Sequence, residues 1–409
     1  MSRGSKKPEP RRRAPKQHHA EENRTPRIIT DASELSSVCD QISSVHSFAF
    51  DTEFIMEDRF KPEIGLIQLA TDDTVVLVDP YEVEDLSPVW NLVADPSIEV
   101  VVHAGIEDLS LCFTQGGVMP QNVFDCQVAC GMITTDYPLS LARMTRNLIK
   151  VRLHKSQTLT DWRRRPLSPE QIRYAADDVI YLPSVRRAIQ RRSEALKRTD
   201  WIAEEMSKFS RPETYERTDR ATVVRLKGAG SLDGLGLAVA IELIKVREQL
   251  ASQYDRPVRS VIRDHLLVEI ARHRWTKPSD IKKLRGMNVN SSALRDVASG
   301  VERACALPEE SWPPVAPVDD ESDQEAALAM LLGAVLRAHC NQQNVSHQLV
   351  AAKAEIRKFV RSRIRNEEST GQVALDNGWR HAFAGARLDD VISGKRQIQI
   401  IDGDIKIPE

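Results

Sequence analysis

Two carboxylates stand two residues apart in Phe48-Ala49-Phe50-Asp51-Thr52-Glu53-Phe54, a run with the aromatic and apolar content of a buried strand. Strand side chains alternate, so Ala49, Asp51 and Glu53 share one face while Phe48, Phe50, Thr52 and Phe54 take the other. Two anions about 7 Å apart on such a strand are unfavourable unless a cation lies between them or water reaches both. A divalent ion is one reading and a solvated strand end is the other. A second acidic site follows the apolar Val100–Val102 in His103-Ala104-Gly105-Ile106-Glu107-Asp108-Leu109. Strand, glycine and acids in that order place Glu107 or Asp108 at a helix start, where free N–H groups favour anions, so helix capping competes with ligand binding here. The third site opens with Ser168-Pro169-Glu170-Gln171, an N-cap serine, a proline at the first helical position and a glutamine three residues on. One turn into that helix Tyr174 and Asp178 are four apart and share a face, which the small Ala175 and Ala176 leave open. Alone, such a pair is an ordinary surface hydrogen bond.

The elements that must hold these groups change in kind along the chain. Short β-branched runs (Ser47–Phe54, Ile64–Thr71, Val75–Val78, Val100–His103) alternate with helical periodicity over residues 27–207, which predicts an α/β domain with a central mixed sheet. The first three runs are joined too briefly for crossover helices, so they are expected to be antiparallel neighbours. Over 212–306 the strand runs vanish and amphipathic stretches predict a small all-helical domain. Residues 307–324, with Pro308, Pro313, Pro314 and Pro317 among acids, read as a linker. A last module, 325–409, carries helices near Glu325–Ala338, Ser346–Arg365 and Trp379–Ala384 and an extended end near Arg396–Ile401. Residues 1–26 form a polar, basic arm, expected to be disordered, that either solubilises the chain or targets or tethers it.

Composition narrows the chemistry further. There are 57 Lys and Arg against 59 Asp and Glu, a net charge of −2, so affinity for nucleic acid must come from local patches. Six cysteines without a Cys-x-x-Cys pair or paired histidines argue against zinc, and no apolar run reaches the length of a membrane span. A cytoplasmic protein is expected.

Taken as a set and in this order, Asp51 and Glu53, then Asp108, then Tyr174 and Asp178 resemble the three exonuclease motifs of the DEDD superfamily, in the subgroup with tyrosine in the last motif. The surrounding wording resembles the ribonuclease D family more closely: Asp51-Thr52-Glu53-Phe54, Gly65-Leu66-Ile67-Gln68-Leu69, His103-Ala104, Phe124-Asp125, Lys155-Ser156-Gln157, Thr160-Asp161-Trp162, Arg165-Pro166-Leu167 and Tyr174-Ala175-Ala176-Asp177-Asp178, within Ile28–Arg192. The resemblance implies an RNase H-like exonuclease domain and hydrolysis of RNA from the 3′ end, releasing nucleoside 5′-monophosphates. It selects Asp108 over Glu107 and Asp178 over Asp177, and leaves Asp125 as a helix cap. It also implies two divalent ions, Mg²⁺ or Mn²⁺, held by Asp51, Glu53, Asp108 and Asp178, with Tyr174 orienting the attacking water. Four carboxylates without His or Cys suit such hard cations.

For substrate grip, Lys150, Arg152, Lys155, Arg163, Arg164 and Arg165 precede the last motif, and Arg186, Arg187, Arg191, Arg192, Lys197 and Arg198 follow it. The second cluster is equally well a solvated helix face, and Trp162 either stacks a base or plugs the core. Residues 215–301 resemble an HRDC domain, a helical nucleic-acid-binding module, with Lys282, Lys283 and Arg285 as its candidate phosphate contacts, and the last module resembles a second such domain. The expected partner is the 3′ end of RNA, tRNA precursors above all, bound by a monomer. A DNA exonuclease, an exosome-associated exonuclease and a catalytically silent nucleic-acid-binding protein are the alternatives.

Overall fold

Apolar, β-branched runs build a six-stranded mixed sheet from β1 (Arg27–Ile29), β2 (Ser47–Ile55), β3 (Glu63–Ala70), β4 (Val75–Val78), β5 (Glu99–Val102) and β6 (Val123–Asp125), in the order β1-β4-β3-β2-β5-β6. The computed structural model describes residues 25–153, 160–216, 218–315, 321–365 and 373–407. The basic arm therefore lies almost wholly outside the described residues. As expected from the short connections, β2, β3 and β4 are antiparallel neighbours, while β2–β5, β5–β6 and β1–β4 are parallel. The central strand β2 is the longest, and it continues past the end of β5, whose ladder with it stops at Ala49 and Val101.

Helices α1 (Ala32–Val45), α2 (Ser87–Ala94), α3 (Ile106–Thr114), α4 (Cys126–Gly131), α5 (Leu141–Leu148), α6 (Pro169–Ile180), α7 (Leu182–Ala195) and α8 (Thr199–Met206) accompany the sheet. Asp31 caps α1 by accepting from Ser33 N and Glu34 N. Asp125 does cap α4 through Gln127 N and Val128 N, and it also accepts from Ala104 N and Gly105 N. One buried carboxylate thus ties the start of α4 to the turn that launches α3. Only glycine fits at 105, because a Cβ there would come within 2.5 Å of the Val102 Cβ.

Just past the midpoint of the chain a separate helical core forms from α9 (Asp219–Val224), α10 (Gly234–Tyr254), α11 (Val258–Val261), α12 (Asp264–His273), α13 (Pro278–Lys282) and α14 (Ser291–Cys305). It touches the sheet domain where Asp255, in the left-handed cap of α10, accepts from Arg59 Nε at 2.9 Å and Phe60 N at 3.2 Å.

The last segment holds α15 (Asp323–Gln343), α16 (His347–Val350), α17 (Lys353–Ile364), α18 (Gly378–Arg380) and α19 (Ala386–Ile392), then a hairpin of β7 (Gln399–Ile401) and β8 (Asp404–Lys406). Its Leu332, Phe359 and Trp379 belong to the same continuous apolar core as the sheet, not to the helical core that precedes it in sequence. Buried Arg198 donates to the carbonyls of Met132, Gln343 and Asn344. Buried Glu205 accepts from Trp379 Nε1 at 2.9 Å and from Arg380, and Trp201 stacks on Trp379. Two expectations need correction. The helix over Ser346–Arg365 breaks at Ala351, which is extended, because Arg380 takes the carbonyls of Leu349 and Val350 that would continue it. The linker ends early, at a capping box between Ser322 and Glu325 that starts α15.

Candidate active site

β2 presents Asp51 opposite Gln68 and Glu53 opposite Leu66 on β3; directly after Glu53 the ladder skips Gly65, so that Phe54 pairs with Ile64. This bulge is filled by Trp162, whose Cβ would lie 2.7 Å from any Cβ placed on Gly65. Across the same face runs α6, packed on β2, β3 and β4. Its start is the expected capping box, Gln171 N to Ser168 Oγ at 3.2 Å and Ser168 N to Gln171 Oε1 at 2.9 Å. Ala175 meets Leu66, Leu77 and Trp162, which lets the helix approach the sheet closely. Tyr174 stands one turn before Asp178 on α6, near enough for its phenol to work against the rise of the Asp178 carboxyl, and Asp178 is brought to the acids of β2.

The result is a cluster in which carboxylate oxygens of Asp51, Glu53 and Asp178 all lie within 4.8 Å of one another. Asp108 stands beside it on α3, 7% exposed, outside that group of three. Its Oδ1 accepts from Thr52 N at 3.0 Å and from the Thr52 hydroxyl. Thr52 lies beyond the end of the β2–β5 ladder, so the carboxylate of Asp108 takes an N–H that a neighbouring strand would otherwise use. Thr52 is the site residue that alternation did not single out. The signal was present in its position between two acids, but its role depends on where β5 stops.

Electrostatics express the crowding. Burial raises the Asp51 carboxyl well above the usual range, and the charges of Asp108, Asp178 and Glu53 add to it. Glu53 is pushed up to about 8 by burial, then by Asp178 and Asp108. Burial also raises Asp178, to about 7, with Asp177 contributing, and raises Asp108. Hydrogen bonds from Tyr174 and Thr52 offset this only in part. Four crowded oxygen donors that resist ionising together fit a hard divalent cation, whose charge would reverse the balance. At the end of β5, burial pulls His103 down to about 4, so its imidazole is neutral, and its Nδ1 has no partner among the described residues.

The basic residues divide differently from the sequence expectation. Arg163 is committed to Asp58, at 2.6 and 3.1 Å, and to Glu63 at 3.1 Å. Arg165 donates to Asp79, to Gly65 O at 2.8 Å and to Trp162 O at 2.8 Å, and lies over the Tyr81 ring. Both build the wall under the bulge, because acids on β3 and after β4 compete for them. Arg164 is exposed, and Lys155 lies outside the described residues. Trp162, 7% exposed and 6.2 Å from the Tyr174 ring, fills the core instead of offering a stacking surface. Arg186 pairs with Glu99 and Arg187 with Asp72. On the helical domain Lys282, Lys283 and Arg285 are exposed near the end of α13, with Lys283 2.8 Å from Asp280.

Comparison with known proteins places these features in a family context. The 3′-5′ exonuclease family pattern matches residues 26–194 and the HRDC domain pattern matches residues 236–292. The chain is 30% identical over 392 residues to a ribonuclease D of Bartonella henselae, spanning 94% of each chain. It is 32% identical over 372 residues to a ribonuclease D of Granulibacter bethesdensis, covering 88% of this chain and 91% of the relative. The crystal structure of Escherichia coli RNase D superposes with a TM-score of 0.77 at 25% identity, across 91% of this chain and all of that one. Among the described residues no helix is long and apolar enough to cross a membrane.

Proposed function

Since this chain belongs to the ribonuclease D family, we propose that Asp51, Glu53, Asp108 and Asp178 hold its divalent cations and that Tyr174 orients the attacking water. The protein is a 3′-5′ exoribonuclease, a nuclease of the divalent-metal-dependent DEDD type. One observation carries the site assignment: Asp51, Glu53 and Asp178, far apart in sequence, bring oxygens within 4.8 Å of one another.

Two ions, Mg²⁺ or Mn²⁺, suit the donor set, with Asp51, Glu53 and Asp178 around one and Asp51 and Asp108 around the other. Bound there, such cations acidify the attacking water and stabilise charge on the phosphoryl and leaving oxygens. The side chains supply position. Burial and the charges of Asp178, Glu53 and Asp51 push the Tyr174 phenol above its ordinary value, so it stays protonated and orients the water without acting as a base. Thr52 holds Asp108 against rotation, and the β2–β3 ladder fixes Asp51 and Glu53 on a rigid strand.

Substrate is gripped by Arg164 beside the site and by Lys282, Lys283 and Arg285 on the helical domain, residues 212–306 in this reading. Residues 27–207 form the catalytic domain, and 325–409 buttress it. The substrate is the 3′ end of structured RNA such as a tRNA precursor, processed by a cytoplasmic monomer.

The test is a 5′-labelled 3′-extended tRNA, a linear RNA and a single-stranded DNA, each digested with Mg²⁺ or Mn²⁺ by wild type and by Asp51→Asn. Stepwise shortening of the RNAs by wild type alone is the expected result. Full activity in Asp51→Asn with an intact circular dichroism spectrum would remove the site assignment. Endonucleolytic fragments would remove the exonuclease mechanism.

A further inference from the structure

Gln68 is wholly buried, and neither its Nε2 nor its Oε1 has a hydrogen-bond partner among the described residues. Glutamine in such a place is unusual, since a buried amide left unpaired is costly and a leucine or methionine would fill the same space without cost. The register says what it faces. Gln68 on β3 is the direct antiparallel partner of Asp51 on β2, so the two side chains rise from the same face with Cβ atoms about 5 Å apart. Its neighbour on the other side is Leu77 on β4, and the helix above contributes Ala175 next to Leu66 and Leu77. Around this apolar surround, the polar side chains on β2 and α6 include the Asp51 and Glu53 carboxylates and the Tyr174 and Asp178 pair.

We propose that the Gln68 amide, unpartnered here and directly opposite Asp51, turns onto the Asp51 carboxylate when that carboxylate holds a cation and so positions it, an inference that rests on Asp51 being a metal ligand. An ionised carboxylate only accepts hydrogen bonds, and an amide N–H supplies one without charge. A lysine or arginine in the same place would also orient Asp51, but would cancel the negative charge that draws the cation. A neutral donor fixes the carboxylate's rotation and leaves its charge available. Amide-to-carboxylate support of this kind typically changes metal affinity by tenfold or more when it is removed.

The test uses the full-length chain with Gln68→Met and Gln68→Leu, each preserving bulk without the amide. Mn²⁺ binding is measured by titration calorimetry, and thermal unfolding is measured in EDTA. The proposal requires an Mn²⁺ dissociation constant raised about tenfold, an unfolding midpoint in EDTA equal to or above that of wild type, and nuclease activity that recovers when Mn²⁺ is raised in proportion. Wild-type Mn²⁺ affinity in a folded variant overturns it. Loss of the fold in both variants assigns Gln68 to the core and overturns it as well. Asp51→Asn is titrated alongside: if that variant loses Mn²⁺ affinity while Gln68→Met keeps it, only the role of Gln68 falls. If Asp51→Asn binds Mn²⁺ like wild type, the metal-site reading itself falls and takes this proposal with it.

Discussion

Glu53→Gln should make the metal-free protein more stable while destroying its activity, and the gain should grow with pH. Glu53 sits at about 8 in the folded chain against 4.5 for an unperturbed glutamate, because burial and the charges of Asp178 and Asp108 oppose its ionisation. A carboxyl whose folded value is raised binds more protons folded than unfolded, so stability is complete below 4.5 and is lost as pH rises through 8. Integrating the two values gives a loss of about 1.4 kcal/mol at pH 5.5, about 3.3 kcal/mol at pH 7 and about 4.7 kcal/mol at pH 9. Glutamine carries the same shape without the charge, so it recovers up to that amount. Water penetration on ionisation makes these figures ceilings. The assay is urea unfolding in EDTA, followed by far-ultraviolet circular dichroism, for wild type and Glu53→Gln at pH 5.5 and pH 9. The difference between the proteins should widen by about 3 kcal/mol between the two conditions. Saturating Mg²⁺ should then restore wild type more than the variant, since the cation replaces the missing counter-charge only where Glu53 remains. Parallel stabilities across pH would refute the crowding argument, whatever the effect on catalysis.

Other perturbations read other parts of the arrangement. Thr52→Val removes the hydroxyl donor to Asp108 and keeps the bulk, so about 1–2 kcal/mol of stability and roughly tenfold in kcat should be lost, by urea unfolding and single-turnover digestion. Burial works to raise Glu205, but Arg380, Lys208 and Trp379 outweigh it and hold the carboxyl down at about 2. Its contribution, about 3 kcal/mol, is present above pH 4.5 and disappears as pH falls through 2, so Glu205→Gln should flatten acid unfolding over that window; an unchanged acid limb would exclude the pairing as the anchor of the last segment. Arg164→Ala should weaken RNA binding and lower the salt-dependence slope by about one, whereas Arg163→Ala should leave the slope intact and cost under about 1 kcal/mol of stability, both from binding isotherms at several salt concentrations.

Local rules carried much of this protein's reading. The alternation of Phe48–Phe54, the capping box at Ser168 and the four-residue spacing of Tyr174 and Asp178 depend on neighbours in sequence, and each element formed as its pattern requires. The break of the helix at Ala351 was invisible in the same way, because its cause, Arg380, arrives from thirty residues downstream. Charge alone could not tell Arg164 from its neighbours: whether a guanidinium is offered to solvent or spent on Asp58, Glu63 or Asp79 depends on which acids fold beside it.

Residue types and spacings were enough to specify that acids would stand on a strand, at a helix start and on a helix face, since periodicity is a property of the local backbone. Where β5 ends relative to β2, and therefore that Asp108 is fastened to Thr52 beside a cluster of three other carboxylates, came only from packing. So did the burial that raises all four of them and the face that sets Gln68 opposite Asp51. Desolvation and charge repulsion act through space, and no stretch of chain contains the distances on which they depend.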